Sequence, residues 1–134
     1  MPGYSGTPLV QKLGLKEDFR IRLVNAPDDL PAGLGPVPAD IVRARDGRAP
    51  VDVVLFFAPS RVALEEPFGK LAAPLKPAGM LWIGWPKKSS GVVTDITESL
   101  VRETGLMAGL VDVKVCAITN VWSGLQCVRR VKDR

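Results

Sequence analysis

Residues 51–57, Val-Asp-Val-Val-Leu-Phe-Phe, restrict the fold of this chain more than any other segment. The run is almost continuously apolar and rich in β-branched and aromatic residues, which is typical of a central strand buried on both faces of a parallel sheet. Residues 80–85, Met-Leu-Trp-Ile-Gly-Trp, form a second run of this kind. Because parallel strands need crossover connections, the two runs predict an α/β fold with helices packed on a sheet.

Two further strands are predicted before the first run. Residues 19–25 alternate apolar and polar side chains, which places Phe19, Ile21 and Leu23 on one face of a strand. Residues 39–45 predict a short strand, and its arginines indicate the edge of a sheet. The segment between these strands is dense in proline and glycine, so it has room for one helical turn at most.

Two helices are predicted to follow the central strands. Ser60 is placed to cap the N-terminus of a helix over residues 61–75, whose leucines and Phe68 recur every three or four positions. After the second central strand, the segment Asp95-x-x-Glu98 has the pattern of a capping box, and it predicts a helix over residues 96–108.

The last part of the chain predicts an antiparallel hairpin, because strand patterns at residues 111–119 and 124–131 are separated by only a short turn. If the turn is centred on Val121-Trp122, then Cys116 and Cys127 are neighbours across the two strands. We expect both to be buried, reduced thiols.

Composition and length indicate one globular domain over residues 1–134, with residues 1–18 as an N-terminal lead-in. There is no apolar segment of transmembrane length and no signal-peptide pattern, so we expect a cytoplasmic location and no membrane partner. The net charge of +4 comes without interleaved basic and aromatic residues, which argues against nucleic acid as a partner.

The absence of histidine excludes more chemistry than any other feature of the composition. Catalysis by Ser-His-Asp or Cys-His groups, histidine general bases and histidine-based metal sites are all unavailable within this chain. Two cysteines alone do not make a zinc site. Catalysis, if present, must rest on Asp, Glu, Lys, Tyr, Cys or a cofactor, and the sequence singles out no catalytic residue and no metal ligand.

Residues 51–130 resemble the second half of a class I S-adenosylmethionine-dependent methyltransferase domain. The resemblance rests on the buried strand, the helix after it, the segment Leu75-Lys-Pro-Ala-Gly-Met-Leu-Trp-Ile-Gly-Trp85, the next helix and the closing hairpin. It implies a three-layer Rossmann or methyltransferase-like α/β domain, with a mostly parallel sheet of about six strands closed by a C-terminal antiparallel hairpin.

The whole chain is also similar to a family of short uncharacterised bacterial proteins. This similarity is carried by Gly3-Tyr-Ser-Gly-Thr-Pro-Leu9, Pro86-Lys-Lys-Ser-Ser-Gly91 and Val113-Lys-Val-Cys-Ala117. It implies no activity.

The first half of the chain departs from the methyltransferase pattern. In that family the first strand normally ends in an acidic residue and a glycine-rich loop that closes around the cofactor. This chain continues with Asn25-Ala-Pro-Asp28, and its later Gly33-x-Gly35 segment has Pro38 where a third glycine is expected. One crossover helix and one strand are also missing before Val51. The cofactor is therefore left unidentified, and the pattern argues against S-adenosylmethionine.

The methyltransferase-like topology implies that the strands lie in the order 39–45, 19–25, 51–57, 80–85, 124–131 and 111–119. The carboxyl ends of the parallel strands and the tip of the hairpin then meet at one edge of the sheet, where ligands bind in open α/β folds. The candidate ligand-binding residues at this edge are Asn25, Ser60, Lys87, Lys88, Ser89, Ser90, Gly91 and Trp122.

Lysines, hydroxyls and backbone N–H groups at the start of a helix suit a small anionic ligand, such as a phosphate or a carboxylate. Two structural alternatives stay open at this point. Lys87 and Lys88 are also compatible with a role as solvated loop lysines. Trp122 is compatible either with stacking on a ligand or with packing as a cap on the sheet.

Three functions are compatible with these residues. The first is a non-catalytic methyltransferase-like domain that binds a small anionic ligand or a protein partner, and hence no enzyme. The second is a small transferase that depends on S-adenosylmethionine or a nucleotide. The third is a homodimeric structural or interaction protein, in which a second copy covers the thinly protected strand at residues 19–24.

Overall fold

The structure is a computed structural model that describes residues 12–16, 19–25, 42–43, 50–65, 71–73, 75–119 and 121–133, with the backbone alone described at 42–43. Its strands are β1 (Arg20–Val24), β2 (Val42–Arg43), β3 (Val51–Phe57), β4 (Leu75–Pro86), β5 (Leu110–Ala117) and β6 (Trp122–Arg129). Its helices are α1 (Arg61–Glu65) and α2 (Glu98–Met107), with short 3-10 turns η1 (Lys88–Ser90) and η2 (Val131–Asp133).

The described strands form one six-stranded sheet in the order β2-β1-β3-β4-β6-β5. Strands β2, β1, β3 and β4 pair in parallel, whereas β6 runs antiparallel to both of its neighbours. The α/β class, the strand order and the closing hairpin predicted from the sequence are confirmed. The reason is that the long apolar runs of β3 and β4 need cover on both faces and therefore take the middle of the sheet.

Each face of the sheet carries its own core. On one face, residues of β3, β4 and β6 pack under α1, α2 and the helical residues 71–72. On the other face, Trp82 and Phe57 lie beneath Leu13 and Leu15 of the N-terminal segment. The period-two pattern of β1 is confirmed, since Ile21 is buried in this second core with Phe19 and Leu23 packed against it.

Several element boundaries differ from the sequence-based prediction. Strand β4 begins at Leu75 rather than at Met80, because Leu75 pairs with Val51 before an irregularity in the ladder. The helix predicted over residues 61–75 therefore ends before Leu75, and its first described segment is Arg61–Glu65. Helix α2 begins at Glu98 rather than at residue 96, because Thr97 is its N-cap and accepts a hydrogen bond from the Leu100 backbone N–H at 3.1 Å.

The prediction that the two cysteines are cross-strand neighbours is wrong. Cys116 lies opposite Gly124 and packs on the Trp82 face, whereas Cys127 lies opposite Asp112 in the core under α2. The turn lies earlier in the chain than expected, since β5 ends at Ala117 and β6 begins at Trp122, and a bulge shifts the register further along β5. Both thiols are free, and burial raises the pKa of Cys127 to about 12.

Within the described ranges, no helix is both long enough and apolar enough to cross a membrane. The same part of the chain contains no group of three or more cysteine or acidic side chains arranged to hold a metal ion.

Candidate functional site

The carboxyl ends of the parallel strands define one edge of the sheet. From β1 the chain goes to β2 on one side, and from β3 it goes to β4 on the other side. The strand order therefore reverses direction between β1 and β3, and in open α/β sheets this reversal opens a crevice in which ligands bind. We call this place, between the ends of β1 and β3, the switch-point crevice.

Asn25 directly follows the carboxyl end of β1 at the switch-point crevice. Its side chain is exposed, and its φ of 56° lies in the left-handed region. Asparagine tolerates this conformation better than other residues with a side chain. The sequence pattern had no glycine at this point, but Asn25 provides the sharp turn. The later Gly33-x-Gly35 segment falls outside the described residues.

The left-handed backbone at Asn25 makes a prediction about stability. We expect Asn25→Val to lower the free energy of unfolding by about 1–2 kcal/mol, because a β-branched residue is strained there. Asn25→Gly, the matched control, should retain stability. Urea denaturation followed by circular dichroism measures both. Equal stability of the valine and glycine variants would contradict the conformation described.

Ser60 follows the end of β3, on the other side of the crevice. Its Oγ accepts a hydrogen bond from the Ala63 backbone N–H at 3.3 Å, so the predicted N-cap of α1 is confirmed. The preceding residues are tied to β4, because the Ala58 backbone N–H donates to the Gly84 carbonyl at 2.8 Å. This wall of the crevice is therefore fixed by backbone and capping contacts.

The loop before α2, residues 92–97, is fastened to the start of α1. Thr94 Oγ1 donates to the Pro59 carbonyl at 2.8 Å, and Asp95 Oδ1 accepts from the Arg61 backbone N–H at 2.7 Å. Asp95 thus satisfies a free donor of α1, not of the helix that it precedes, and the predicted capping box is wrong. Sequence spacing gives no signal for this contact between residues 34 apart.

Residues 87–91 connect β4 to that loop. The Lys87 backbone N–H donates to the Val121 carbonyl at 2.7 Å, which joins the loop to the hairpin tip. Ser90 Oγ donates to the Lys87 carbonyl at 2.6 Å, and Gly91 closes η1 with a φ of 80°. Ser90 and Gly91 therefore shape the loop, whereas Lys88 and Ser89 have exposed side chains.

An open depression of about 360 Å³ lies on this loop, lined by Lys88 and residues 91–97. The sequence did not predict it, because its lining depends on the long-range fastening of Thr94 and Asp95. In the described part of the chain, the ammonium groups of Lys87 and Lys88 have no ion-pair partner. The guanidinium of Arg61, by contrast, is paired with Glu65 at 3.0 Å.

Trp122 begins β6 at the same edge. Its ring is half-buried and meets Phe57 edge-on, with 5.3 Å between ring centroids and an angle of 88°. This contact agrees with the packing alternative for Trp122. Its predicted ligand-binding role stays a prediction.

The candidate residues share one rim, but they do not form a single cluster. Adjacent strands lie about 4.8 Å apart, so the three strand intervals from Asn25 on β1 to Trp122 on β6 span roughly 14 Å. The switch-point crevice lies between β1 and β3, and the loop of residues 87–97 follows β4, the next strand of the sheet after β3.

By sequence, the chain matches no protein-family model and no curated protein. By structure, it is similar to a protein assigned as a type 11 methyltransferase from Sulfolobus solfataricus, with a TM-score of 0.62, 15% identity and coverage of 92% of this chain and 90% of the other. It is also similar to precorrin-6y C5,15-methyltransferase from Geobacter metallireducens, with a TM-score of 0.58, 12% identity and coverage of 91% and 86%.

A third similar structure is magnesium protoporphyrin IX methyltransferase from Synechocystis, solved with bound S-adenosylmethionine. Its TM-score is 0.57 at 10% identity, with coverage of 91% of this chain and 74% of that one. This chain has the class I methyltransferase-like fold. The likeness to short bacterial proteins stays a prediction.

The methyltransferase-like fold corrects two expectations from the sequence. The first interpretation, a non-catalytic domain, is overturned because the solved structures with this fold include S-adenosylmethionine-dependent methyltransferases. The argument against S-adenosylmethionine as cofactor is overturned by the same finding, which includes a structure with that molecule bound. The sequence-based argument relied on missing glycines, but Asn25 has a left-handed backbone, a conformation that glycine favours and asparagine tolerates.

Two features of the described residues beside the switch-point crevice are compatible with this cofactor. The exposed Asn25 amide both donates and accepts hydrogen bonds, which suits hydroxyl and amino acid groups. Among the described residues at the carboxyl ends of β1 and β3, no lysine or arginine lacks an ion-pair partner. The absence of such a cation suits the positively charged sulfonium of the cofactor.

Proposed function

We propose that this protein is an S-adenosylmethionine-dependent methyltransferase. One observation carries the proposal: a methyltransferase-like sheet reverses its strand order between β1 and β3, and Asn25, with a left-handed backbone, directly follows β1 there. The structural similarity to methyltransferases supports it.

Each part of the rim has a task in this proposal. The cofactor lies in the switch-point crevice, where Asn25 and the residues after β3 would hold it. When bound, it supplies a methyl group on a positively charged sulfur. The neighbouring loop, fastened by Thr94 and Asp95, would position the acceptor and keep water away from the reacting atoms.

A fixed loop suits this task because methyl transfer depends mainly on bringing two reactants together in the right orientation. Thr94 and Asp95 anchor one end of the loop to α1, and Lys87 anchors the other end to the hairpin tip. The acceptor side of the rim is thus preorganised before any ligand binds.

Ligand binding tests the proposal without requiring the acceptor. We expect S-adenosylhomocysteine, at one hundred times its Kd, to stabilise the protein by about 2.7 kcal/mol and to raise the Tm by roughly 10 °C. Adenosine and ATP, measured in parallel, should give smaller shifts. Isothermal titration calorimetry gives the affinity, and the absence of binding by either method would contradict the proposal.

A cytoplasmic location and a second copy as partner remain predictions that accompany this function. The face for which a second copy was expected is partly covered by Leu13 and Leu15. Sedimentation equilibrium of the whole chain measures the oligomeric state.

A further inference from the structure

We propose that the methyl acceptor is a small amphipathic carboxylic acid, which is methylated on its carboxylate and docks on residues 87–93. This inference rests on the proposed function, because it names the substrate class of that site. Three features of the loop carry it: two cations, exposed apolar side chains and a fixed position beside the switch-point crevice.

The charges of the loop attract an anion. Lys87 and Lys88 follow β4, the strand next to the crevice wall formed by β3, and Lys88 lines the open depression. Asp95 contributes a carboxylate to the lining of the depression. Its Oδ1 already accepts a hydrogen bond from the Arg61 backbone N–H. The depression therefore offers an ammonium group to an incoming carboxylate, and a second ammonium group adjoins it in the chain.

The apolar surface beside these cations is the second feature. The side chain of Val93, which lines the depression, is 95% exposed. Val92, also exposed, lies beside Val93 in the depression. An apolar chain attached to the carboxylate would cover these side chains and gain the free energy of their burial.

The absence of histidine favours a nucleophile that needs no general base. There is no histidine in the sequence to act as a general base. Alcohols and ammonium groups must lose a proton before or during methyl transfer, whereas a carboxylic acid is already ionised at neutral pH. A carboxylate acceptor thus removes the need for a base.

The reaction balances without a further reactant. A carboxylate oxygen donates an electron pair to the methyl carbon and forms the O–CH₃ bond of a methyl ester. The S–CH₃ bond breaks, and its electron pair stays on sulfur, which becomes a neutral thioether. No proton is transferred, so the chain has only to bind and orient the two reactants.

A panel of probes with the same chain length tests this inference: octanoate, octylamine and 1-octanol. Binding is measured by calorimetry to the protein saturated with S-adenosylhomocysteine, where no turnover occurs. Methyl transfer is measured with S-adenosylmethionine by mass spectrometry of the products. We expect octanoate to bind more tightly than the other two probes and to yield methyl octanoate as the main product.

The lysines are tested by neutral substitution. We expect Lys87→Gln and Lys88→Gln each to weaken octanoate binding about three- to five-fold, and raised salt to weaken it in the wild type. Lys132→Gln is the matched control, because this exposed lysine lies past β6 at the opposite edge of the sheet. It should leave octanoate binding unchanged, and all three variants should keep the wild-type affinity for S-adenosylhomocysteine.

The possible results separate the two proposals. If S-adenosylhomocysteine binds and octylamine or 1-octanol is bound and methylated in preference to octanoate, the acceptor inference is overturned and the proposed function stands. The same holds if Lys87→Gln and Lys88→Gln behave like Lys132→Gln. If S-adenosylhomocysteine does not bind, both proposals are overturned.

Discussion

Trp82→Ala is expected to lower the free energy of unfolding by about 3–5 kcal/mol, a large part of the stability of a domain of this size. The Trp82 side chain is fully buried in the core beneath the N-terminal segment, and its indole Nε1 donates to the Leu13 carbonyl at 3.1 Å. The substitution leaves a cavity and an unpaired carbonyl together. Urea denaturation monitored by circular dichroism measures the loss.

Two control variants separate these effects. Trp82→Phe keeps most of the ring volume but removes the donor to Leu13, so we expect a smaller loss of about 1–3 kcal/mol. Trp122→Ala removes a half-buried indole from the same face of the sheet and should cost less than Trp82→Ala. If Trp122→Ala proves the more damaging variant, the described packing of this face is wrong.

Gly124→Ala is the second substitution with a large expected effect, about 1–3 kcal/mol of destabilisation. A Cβ atom at this position would lie 2.5 Å from Cδ1 of Ile118, a buried residue, and 3.3 Å from a ring carbon of Trp82. Gly84, directly opposite on β4, leaves the corresponding space for Phe57. The two paired glycines thus leave space for the side chains of Phe57 and Ile118 over the sheet, near the carboxyl ends of its parallel strands.

A double-mutant cycle tests this explanation. Ile118→Ala removes the atoms that a methyl group at position 124 would meet, so Gly124→Ala should be nearly neutral in that background. The free energy of unfolding of the two single variants and the double variant gives the coupling between the positions. An equal cost of Gly124→Ala in both backgrounds would show that Ile118 does not fill this space.

The sequence predicted the sheet well where periodicity and burial agree. The alternation of Phe19, Ile21 and Leu23, and the apolar run of β3, determine which residues face each core. It predicted the hairpin register poorly, because the bulge between Asp112 and Lys114 and the position of the turn depend on contacts that no local pattern encodes.

The candidate site shows the same division. The sequence located the rim, because strand ends and polar loops are local features. It missed the fastening of Asp95 to Arg61, which joins segments that are distant in the chain, and the left-handed turn at Asn25. The first depends on a long-range contact and the second on a backbone conformation, and sequence spacing encodes neither.

A crystal structure of the protein with S-adenosylhomocysteine tests the central claim most directly. The account predicts that the ligand lies across the carboxyl ends of β1 and β3, with the Asn25 side chain within hydrogen-bonding distance. A ligand bound at any other surface, with the crevice between β1 and β3 closed by protein side chains, would contradict it.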